Sequence, residues 1–127
     1  MERFPEVIVR PATREDAEFL IRGNAQPALE TEDLQLDTDR LRSGVHGIFD
    51  DPSRGSYLIA EIERASVGQM MITYEWSDWR NGVFWWIQSV YVVPKLRHRG
   101  VSRALYLKAE ALAQLRGSVC GLRYMSP

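Results

Sequence analysis

The residues best suited to chemistry lie in one short, basic segment around a glycine. Its notable members are cationic or small: Lys95, Arg97, Arg99, Gly100, Ser102 and Arg103. A β-branched and aromatic run, 83–93, precedes the segment, and a run of good helix formers follows it to about Leu115. Gly100 is therefore expected where a strand leads into a helix.

A helix that begins at Gly100 could bind a phosphate group. The first amides of a helix have no acceptor within the helix, and they lie at the positive end of its dipole. Gly100 permits positive φ or close approach of a ligand, while Ser102 adds a hydroxyl group. A second interpretation stays open, because a glycine at such a junction is also a common packing device and clustered arginines often form a solvated surface.

The elements that must position this loop follow from hydrophobic periodicity and turn residues. Thr13 and Asp37 are the expected N-caps of two early helices, and Pro27 is expected to kink or interrupt the first helix. A turn-rich insert, 77–82, separates the third and fourth strands. The strands are expected at 7–11, 57–62, 67–74, 83–93 and 119–124, and the third helix at 100–115.

Length and composition indicate one soluble domain, 1–127. The 127 residues are 45% hydrophobic and 26% charged, and the formal net charge of -1 gives no reason to expect nucleic acid or a membrane as partner. No apolar run approaches the roughly 20 residues of a membrane helix. The charge is uneven, since 15–51 carries ten acidic and three basic residues (-7) and 95–116 carries six basic and one acidic residue (+5).

Cysteine and histidine offer little for a metal site. The single cysteine, Cys120, cannot form an internal disulfide, which favours a cytoplasmic location, and it is expected to be a small buried residue. His46 and His98 are too few and too far apart in the sequence to predict a metal site. We therefore expect no metal.

The basic segment and its flanks resemble a known motif. Val90-Tyr91-Val92-Val93-Pro94, followed by Arg97-x-x-Gly100-x-Ser102, is similar to the acyl-CoA-binding motif of the GNAT superfamily of N-acetyltransferases. That motif has Arg or Gln, two residues, Gly, one residue, and Gly or Ala, so Ser102 is a small departure from it. The order of predicted elements also resembles the family, which implies an α/β (α+β) fold with a mixed, mostly antiparallel sheet flanked by helices.

The resemblance implies that acetyl-CoA is the co-substrate. Its pyrophosphate would bind the loop backbone, its pantetheine arm would lie along the fourth strand like an added strand, and a backbone N–H there would polarise the thioester carbonyl. The implied cofactor-binding residues run from that strand into the helix: Val90, Tyr91, Val92, Arg97, His98, Arg99, Gly100, Val101, Ser102 and Arg103.

The resemblance also implies transfer to the neutral amine of a small molecule by direct attack, with a carboxylate base and a tyrosine acid. Glu75 is the candidate base, and Tyr91 and Tyr124 are candidate acids. An aromatic and acidic stretch is the candidate acceptor site. Its members are Glu75, Trp76, Asp78 and Trp79. The alternatives are that Glu75 is a solvent-facing strand residue and that the tryptophans belong to the core or to an interface.

Members of the resembled family normally continue beyond the fifth strand, so the sequence is expected to be a C-terminally shortened version of the domain. An unpaired strand edge and a homodimer that covers it are expected consequences. A second hypothesis for function is a catalytically degenerate acyl-CoA-binding or assembly module that retains only the phosphate loop.

Overall fold

Three helices and five strands make up the part of the chain that the computed structural model describes, residues 5–32 and 35–124. Short 3-10 turns, Arg14–Asp16 and Pro94–Leu96, precede the first and third helices. In chain order the elements are β1 (Val7–Pro11), α1 (Ala17–Glu32), α2 (Thr38–Asp50), β2 (Ser56–Ile62), β3 (Ala65–Ser77), β4 (Gly82–Val92), α3 (Val101–Leu115) and β5 (Val119–Tyr124).

The helices begin where the sequence places polar caps. The Asp37 carboxylate accepts a hydrogen bond from the Arg40 amide at 3.0 Å, which satisfies one free amide of α2. Near Thr13 the chain first forms a 3-10 turn, in which the Asp16 carboxylate accepts from the Thr13 amide at 2.7 Å. Helix α1 runs through Pro27 as one element, so the proline does not separate two helices.

The sheet order is β1-β2-β3-β4-β5. The first four strands are antiparallel neighbours, and β5 runs parallel to β4. This confirms the expected mixed, mostly antiparallel sheet. One face packs on α3 through Leu105 and Ala109, and the other packs on α1 and α2 through Leu20 and Val45. We call these the α3 face and the α1/α2 face.

Strand β4 carries a bulge at Gln88. Ser89 pairs with Met71 and Ile87 with Ile72, so Gln88 is an extra residue between the two pairs. The bulge shifts the alternation of side chains between the two faces of the sheet by one residue. Beyond it, Tyr91 contacts the Phe19 ring on the α1/α2 face, whereas Val92 belongs to the core under α3.

The pairing of β4 with β5 ends before the bulge. It runs from Val83↔Val119 to Ile87↔Tyr124, so in the described residues β5 accompanies only the first half of β4. The outer edge of β4 from Gln88 onward has no neighbouring strand in this part of the chain. We call the place where this pairing ends the fork.

Two local expectations are wrong. Cys120 is exposed rather than buried, because its neighbour Val119 packs towards α3 and successive residues of a strand face opposite sides. Strand β3 continues to Ser77, beyond its expected end at 74, so Glu75 and Trp76 of the candidate acceptor site lie in regular strand. The turn between β3 and β4 is correspondingly shorter than the predicted insert.

Candidate active site

A cleft of about 530 Å³ lies at the fork, between the end of β4 and the start of α3. Of the ten predicted cofactor-binding residues, nine line it, and Arg99 does not. Pro27 and Leu96 also contribute, and sequence reasoning missed both. The lining residues are Pro27, Val90, Tyr91, Val92, Leu96, Arg97, His98, Gly100, Val101, Ser102 and Arg103.

The loop reaches α3 through two residues with left-handed backbone. His98 has φ of 65° and Gly100 has φ of 82°. A side-chain carbon on Gly100 would meet nothing within 4 Å, so the backbone conformation, not crowding, favours glycine there. The Gly100 carbonyl accepts from the Ala104 amide at 3.0 Å and begins the helix. The preceding amides of α3 lack acceptors within the helix and are available to an anion.

The cleft has basic walls. The Arg97 Nε atom donates to the Val92 carbonyl at 3.2 Å, which holds this guanidinium beside the end of β4. Arg103 lies on the first turn of α3, and both arginines are exposed. A helix N-terminus with cationic side chains around it can bind a di- or triphosphate group.

The backbone of β4 offers free polar groups to the cleft. The Val93 amide donates to the Val67 carbonyl of β3 at 2.9 Å. Because hydrogen-bonding direction alternates along an antiparallel pair, Tyr91 also bonds towards β3, and Val90 and Val92 direct their N–H and C=O groups outward. An extended ligand lying in the fork could therefore hydrogen-bond to Val90 as an added strand does.

Glu75, the candidate base, lies on the α1/α2 face away from the fork. Its Oε1 atom accepts from the Trp86 indole at 3.1 Å and lies 3.9 Å from Arg123 Nη1. Glu75 pairs with Phe84, which is four residues before Gln88, so about 13 Å separates its strand position from the bulge. Direct proton abstraction at the fork would need the acceptor or a water chain to span that distance.

The two candidate acids lie on opposite faces of the sheet. The Tyr91 ring packs 6.3 Å from the Phe19 ring, under α1. Tyr124 lies at the fork opposite Ile87, and its ring stacks on Tyr106 of α3 at 5.8 Å. Partial burial raises the pKa of the Tyr124 phenol, so this group keeps its proton at neutral pH.

The predicted acceptor residues do not converge. Glu75 and Trp76 are consecutive strand residues and face opposite sides of the sheet. The Asp78 carboxylate accepts from the Trp79 amide at 2.9 Å and closes the turn, which leaves Trp79 92% exposed at its tip. These four residues do not form the wall of one pocket.

Other residues occupy the α1/α2 face beside the fork. The Nε2 atom of the Gln88 side chain donates to Thr73 Oγ1 at 2.6 Å. The Arg123 guanidinium carbon lies 3.7 Å from the centre of the Phe84 ring. Sequence reasoning missed this arrangement. Only the parallel pairing of β5 with β4 brings Arg123 next to Phe84, and no local pattern in the sequence predicts that register.

Within residues 5–32 and 35–124, no three His, Cys, Asp or Glu side chains are grouped as metal ligands. None of the helices described is long and apolar enough to cross a membrane.

Comparison with known proteins identifies the family. Residues 17–124 match the model of the acetyltransferase (GNAT) family. No curated protein is significantly similar to this chain in sequence. Among solved structures, a possible acetyltransferase from Clostridium difficile 630 is 36% identical, with a TM-score of 0.89 over 95% of this chain and 80% of the other.

More distant structures share the fold. A ribosomal-protein-alanine N-acetyltransferase from Brucella melitensis biovar Abortus 2308 has 17% identity and a TM-score of 0.76, over 96% of this chain and 81% of the other. An aminoglycoside N-acetyltransferase in complex with CoA has 13% identity and a TM-score of 0.75, over 100% of this chain and 81% of the other. The family match covers most of the sequence, and the chain therefore belongs to the GNAT family of acetyltransferases.

Proposed function

We propose that this protein transfers an acetyl group from acetyl-CoA to the primary amine of a small molecule, by direct attack of the amine on the thioester. Family membership makes the chain an acyltransferase of the kind that takes its acyl group from acyl-CoA. The acetyl group, the small amine and a cytoplasmic location are the proposed refinements. The observation that carries the proposed activity is the cleft at the fork, where a basic helix N-terminus meets an unpaired strand edge. The proposed location rests on the single cysteine.

The chemistry of the cleft fits CoA. In this proposal the α3 amides and Arg103 bind the pyrophosphate, and the outward N–H and C=O of Val90 bind the pantetheine arm. The acyl group would lie next to the Gln88 bulge, where a backbone N–H would stabilise negative charge that develops on the thioester oxygen.

Acetyl transfer also needs a base and an acid. The amine must be neutral to attack, and Glu75 is proposed to take its proton along a chain of water molecules, because about 13 Å along β4 separates Glu75 from the fork. Tyr124 is the better placed of the two candidate acids, because its strand position lies at the fork, whereas the Tyr91 ring packs under α1. A protonated phenol there could return a proton to the leaving thiolate.

Thiol release from acetyl-CoA, measured over a panel of polyamines, amino acids and aminoglycosides, tests the activity. Calorimetric titration with CoA, comparing the wild type with Gly100→Glu, tests the cleft separately. The variant adds a negative charge at the phosphate position and strains the left-handed backbone, so we expect CoA affinity to fall at least about tenfold. Equal binding by both proteins would show that CoA does not use this loop.

The distance of Glu75 from the fork favours a second candidate, a degenerate acyl-CoA-binding or assembly module. The two candidates differ in one measurement. CoA binding that is lost in Gly100→Glu, without turnover of any amine in the panel, would select the module. Turnover that depends on Gly100 would select the enzyme.

A homodimer is also proposed. In the described residues, β5 pairs only with β4, so its outer edge could accept a strand from a second copy. Tyr124, at the end of this strand, has an exposed aromatic side chain. Light scattering at micromolar concentration tests the proposal, and a monomer would contradict it.

A further inference from the structure

A cluster of arginine and aromatic side chains lies beside the fork, on the α1/α2 face. It consists of Glu75, Arg80, Phe84, Trp86 and Arg123, and we call it the arginine platform. Its centre is the Phe84 ring, which is only 8% exposed. The guanidinium carbon of Arg123 lies 3.7 Å from the centre of that ring, and that of Arg80 lies 5.2 Å from it.

The platform carries more positive than negative charge. It holds two guanidinium groups and one carboxylate, Glu75, whose Oε1 atom lies 3.9 Å from Arg123 Nη1. Glu75 already accepts a hydrogen bond from the Trp86 indole. Among the described residues, no carboxylate lies within 4.0 Å of Arg80. The platform therefore has capacity to bind another anion.

The Arg123 side chain is prepared for such a ligand. Stacking on Phe84 and the neighbouring Trp86 ring, at 5.6 Å, restricts the guanidinium, so less conformational entropy is lost when it binds. The side chain is still 44% exposed, which leaves donors available to a partner. A planar guanidinium can donate two parallel hydrogen bonds to the two oxygens of one carboxylate.

The platform lies at a defined distance from the bulge in β4. The Arg123 guanidinium is centred on the Phe84 ring, and Phe84 lies four residues before the bulge at Gln88, which corresponds to about 13 Å along the strand. An extended chain advances about 1.2 Å per bond, so about eleven bonds span this distance. Both positions lie on the same face of the sheet.

We propose that the acceptor is an ω-amino carboxylate, whose carboxylate binds Arg123, assisted by Arg80, while its amine reaches the fork about eleven bonds away. This inference rests on the proposed acetyl transfer and adds the class of acceptor. It assigns Arg123 as a specificity-determining residue.

A matched set of acceptors tests the inference. Thiol release from acetyl-CoA is measured with 11-aminoundecanoate, 11-aminoundecanamide and 1,11-diaminoundecane, which share the chain length and differ in the distal group. We expect kcat/KM for the acid to exceed that for the amide by at least about tenfold, as for a charged hydrogen-bonded pair. In Arg123→Gln this advantage should disappear, while turnover of the amide changes less than about threefold.

Arg116→Gln is the matched control. The Arg116 guanidinium carbon lies 5.6 Å from the Trp85 ring centre, on the opposite face of β4, so the variant removes the same charge and the same kind of ring contact. It should leave the preference for the acid unchanged. Thermal melting of both variants checks that they are folded, and Arg123→Lys, which keeps the charge without the planar donors, should retain part of the preference.

Binding of the product separates this inference from the proposed function. Calorimetry in the presence of CoA compares 11-acetamidoundecanoate with its amide, and it needs no turnover. If the wild type binds the acid more tightly than the amide, and Arg123→Gln does not, the arginine platform is supported. This holds even if no amine is acetylated, because absent turnover would count only against the proposed enzyme activity. Turnover of amines without preference for the acid, or equal binding of the acid by wild type and Arg123→Gln, would overturn the inference.

Discussion

At the scale of single residues, Gly23 in α1 is fixed by a side chain from the sheet. Gln69 is only 1% exposed, and its Nε2 atom donates to the Leu20 carbonyl at 3.3 Å. A side-chain carbon on Gly23 would overlap with the Gln69 carboxamide. The contact matters for the cleft, because Pro27, one turn further along α1, forms part of its wall.

Gly23→Ala should therefore destabilise the protein by about 1–3 kcal/mol, the usual cost of overpacking a core. The cost should be much smaller in a Gln69→Ala background, which makes room for the new methyl group. Urea unfolding of the two single variants and the double variant measures the difference. The same cost in both backgrounds would mean that the Gln69 carboxamide is not what excludes a side chain at position 23.

Asp16 gives the protein a pH-dependent contribution to stability. Its carboxylate, which is mostly buried, accepts two hydrogen bonds of 2.8 Å from Arg10 and one from the Thr13 amide. The Arg10 guanidinium holds the pKa of the Asp16 carboxyl below its usual value of 3.8. A carboxyl with a lowered pKa stabilises the folded state above its unfolded pKa, and this contribution disappears as the pH falls through the folded pKa.

Asp16→Asn should lower the free energy of unfolding by about 2–3 kcal/mol at pH 7, somewhat less than for a fully buried pair because Arg10 is partly exposed. The difference from the wild type should shrink at pH values below 3.8. Urea titrations across this range provide the measurement. Glu61→Gln removes the longer contact to Arg10, 3.3 Å, and serves as a control with a smaller effect. A difference that does not depend on pH would exclude the ion pair as the cause.

At the scale of elements, sequence patterns located the strands but not the bulge near which the pairing of β4 with β5 ends. The run 83–93 is apolar or aromatic at most positions, so its alternation gives no indication that Gln88 is a bulge. The bulge follows from the register with β3, which involves residues far away in the sequence. The same limitation hid Arg123, which joins the arginine platform only through its pairing with Trp86.

Hydrogen exchange can test how the open edge of β4 is used. The amides of Val90 and Val92 point outward and have no strand partner in the described residues, whereas the Tyr91 amide bonds to β3. We expect exchange at Val90 to be fast in the free protein and to slow markedly when CoA is added. The Tyr91 amide is the internal control, since it should be protected in both states. Unchanged exchange at Val90 with CoA bound would contradict the added-strand arrangement.

At the scale of the whole molecule, the sequence predicted the fold better than it predicted the residues of the acceptor site. The order of elements followed from periodicity and caps, whereas the fold class and the cleft at the start of α3 followed from the resemblance of one short motif to that of the GNAT family. These features depend on neighbours along the chain, which a sequence displays directly. The surface that would bind the acceptor depends on which strands pair. The sequence prediction placed Trp76 and Glu75 in one site, whereas the pleat of β3 places them on opposite sides of the sheet.

Charge is also organised across the whole molecule. The chain has a net charge of only -1, yet the segment 95–116 carries +5 and the segment 15–51 carries -7. The start of the positive segment forms the cleft at the fork. The field that a polyanionic ligand meets there is therefore attractive, in spite of the slightly negative total charge.

This uneven charge predicts that CoA binding depends on salt. Raising the ionic strength from about 0.1 M to about 1 M shortens the screening length from roughly 10 Å to 3 Å, so we expect CoA affinity to fall by about tenfold. Pantetheine, which lacks the phosphates, should bind more weakly and with little dependence on salt. Calorimetric titrations of both ligands at the two salt concentrations make the comparison. If both affinities fell equally, the basic start of α3 would not be the group that recognises the phosphates, and CoA would be bound chiefly through its pantetheine arm.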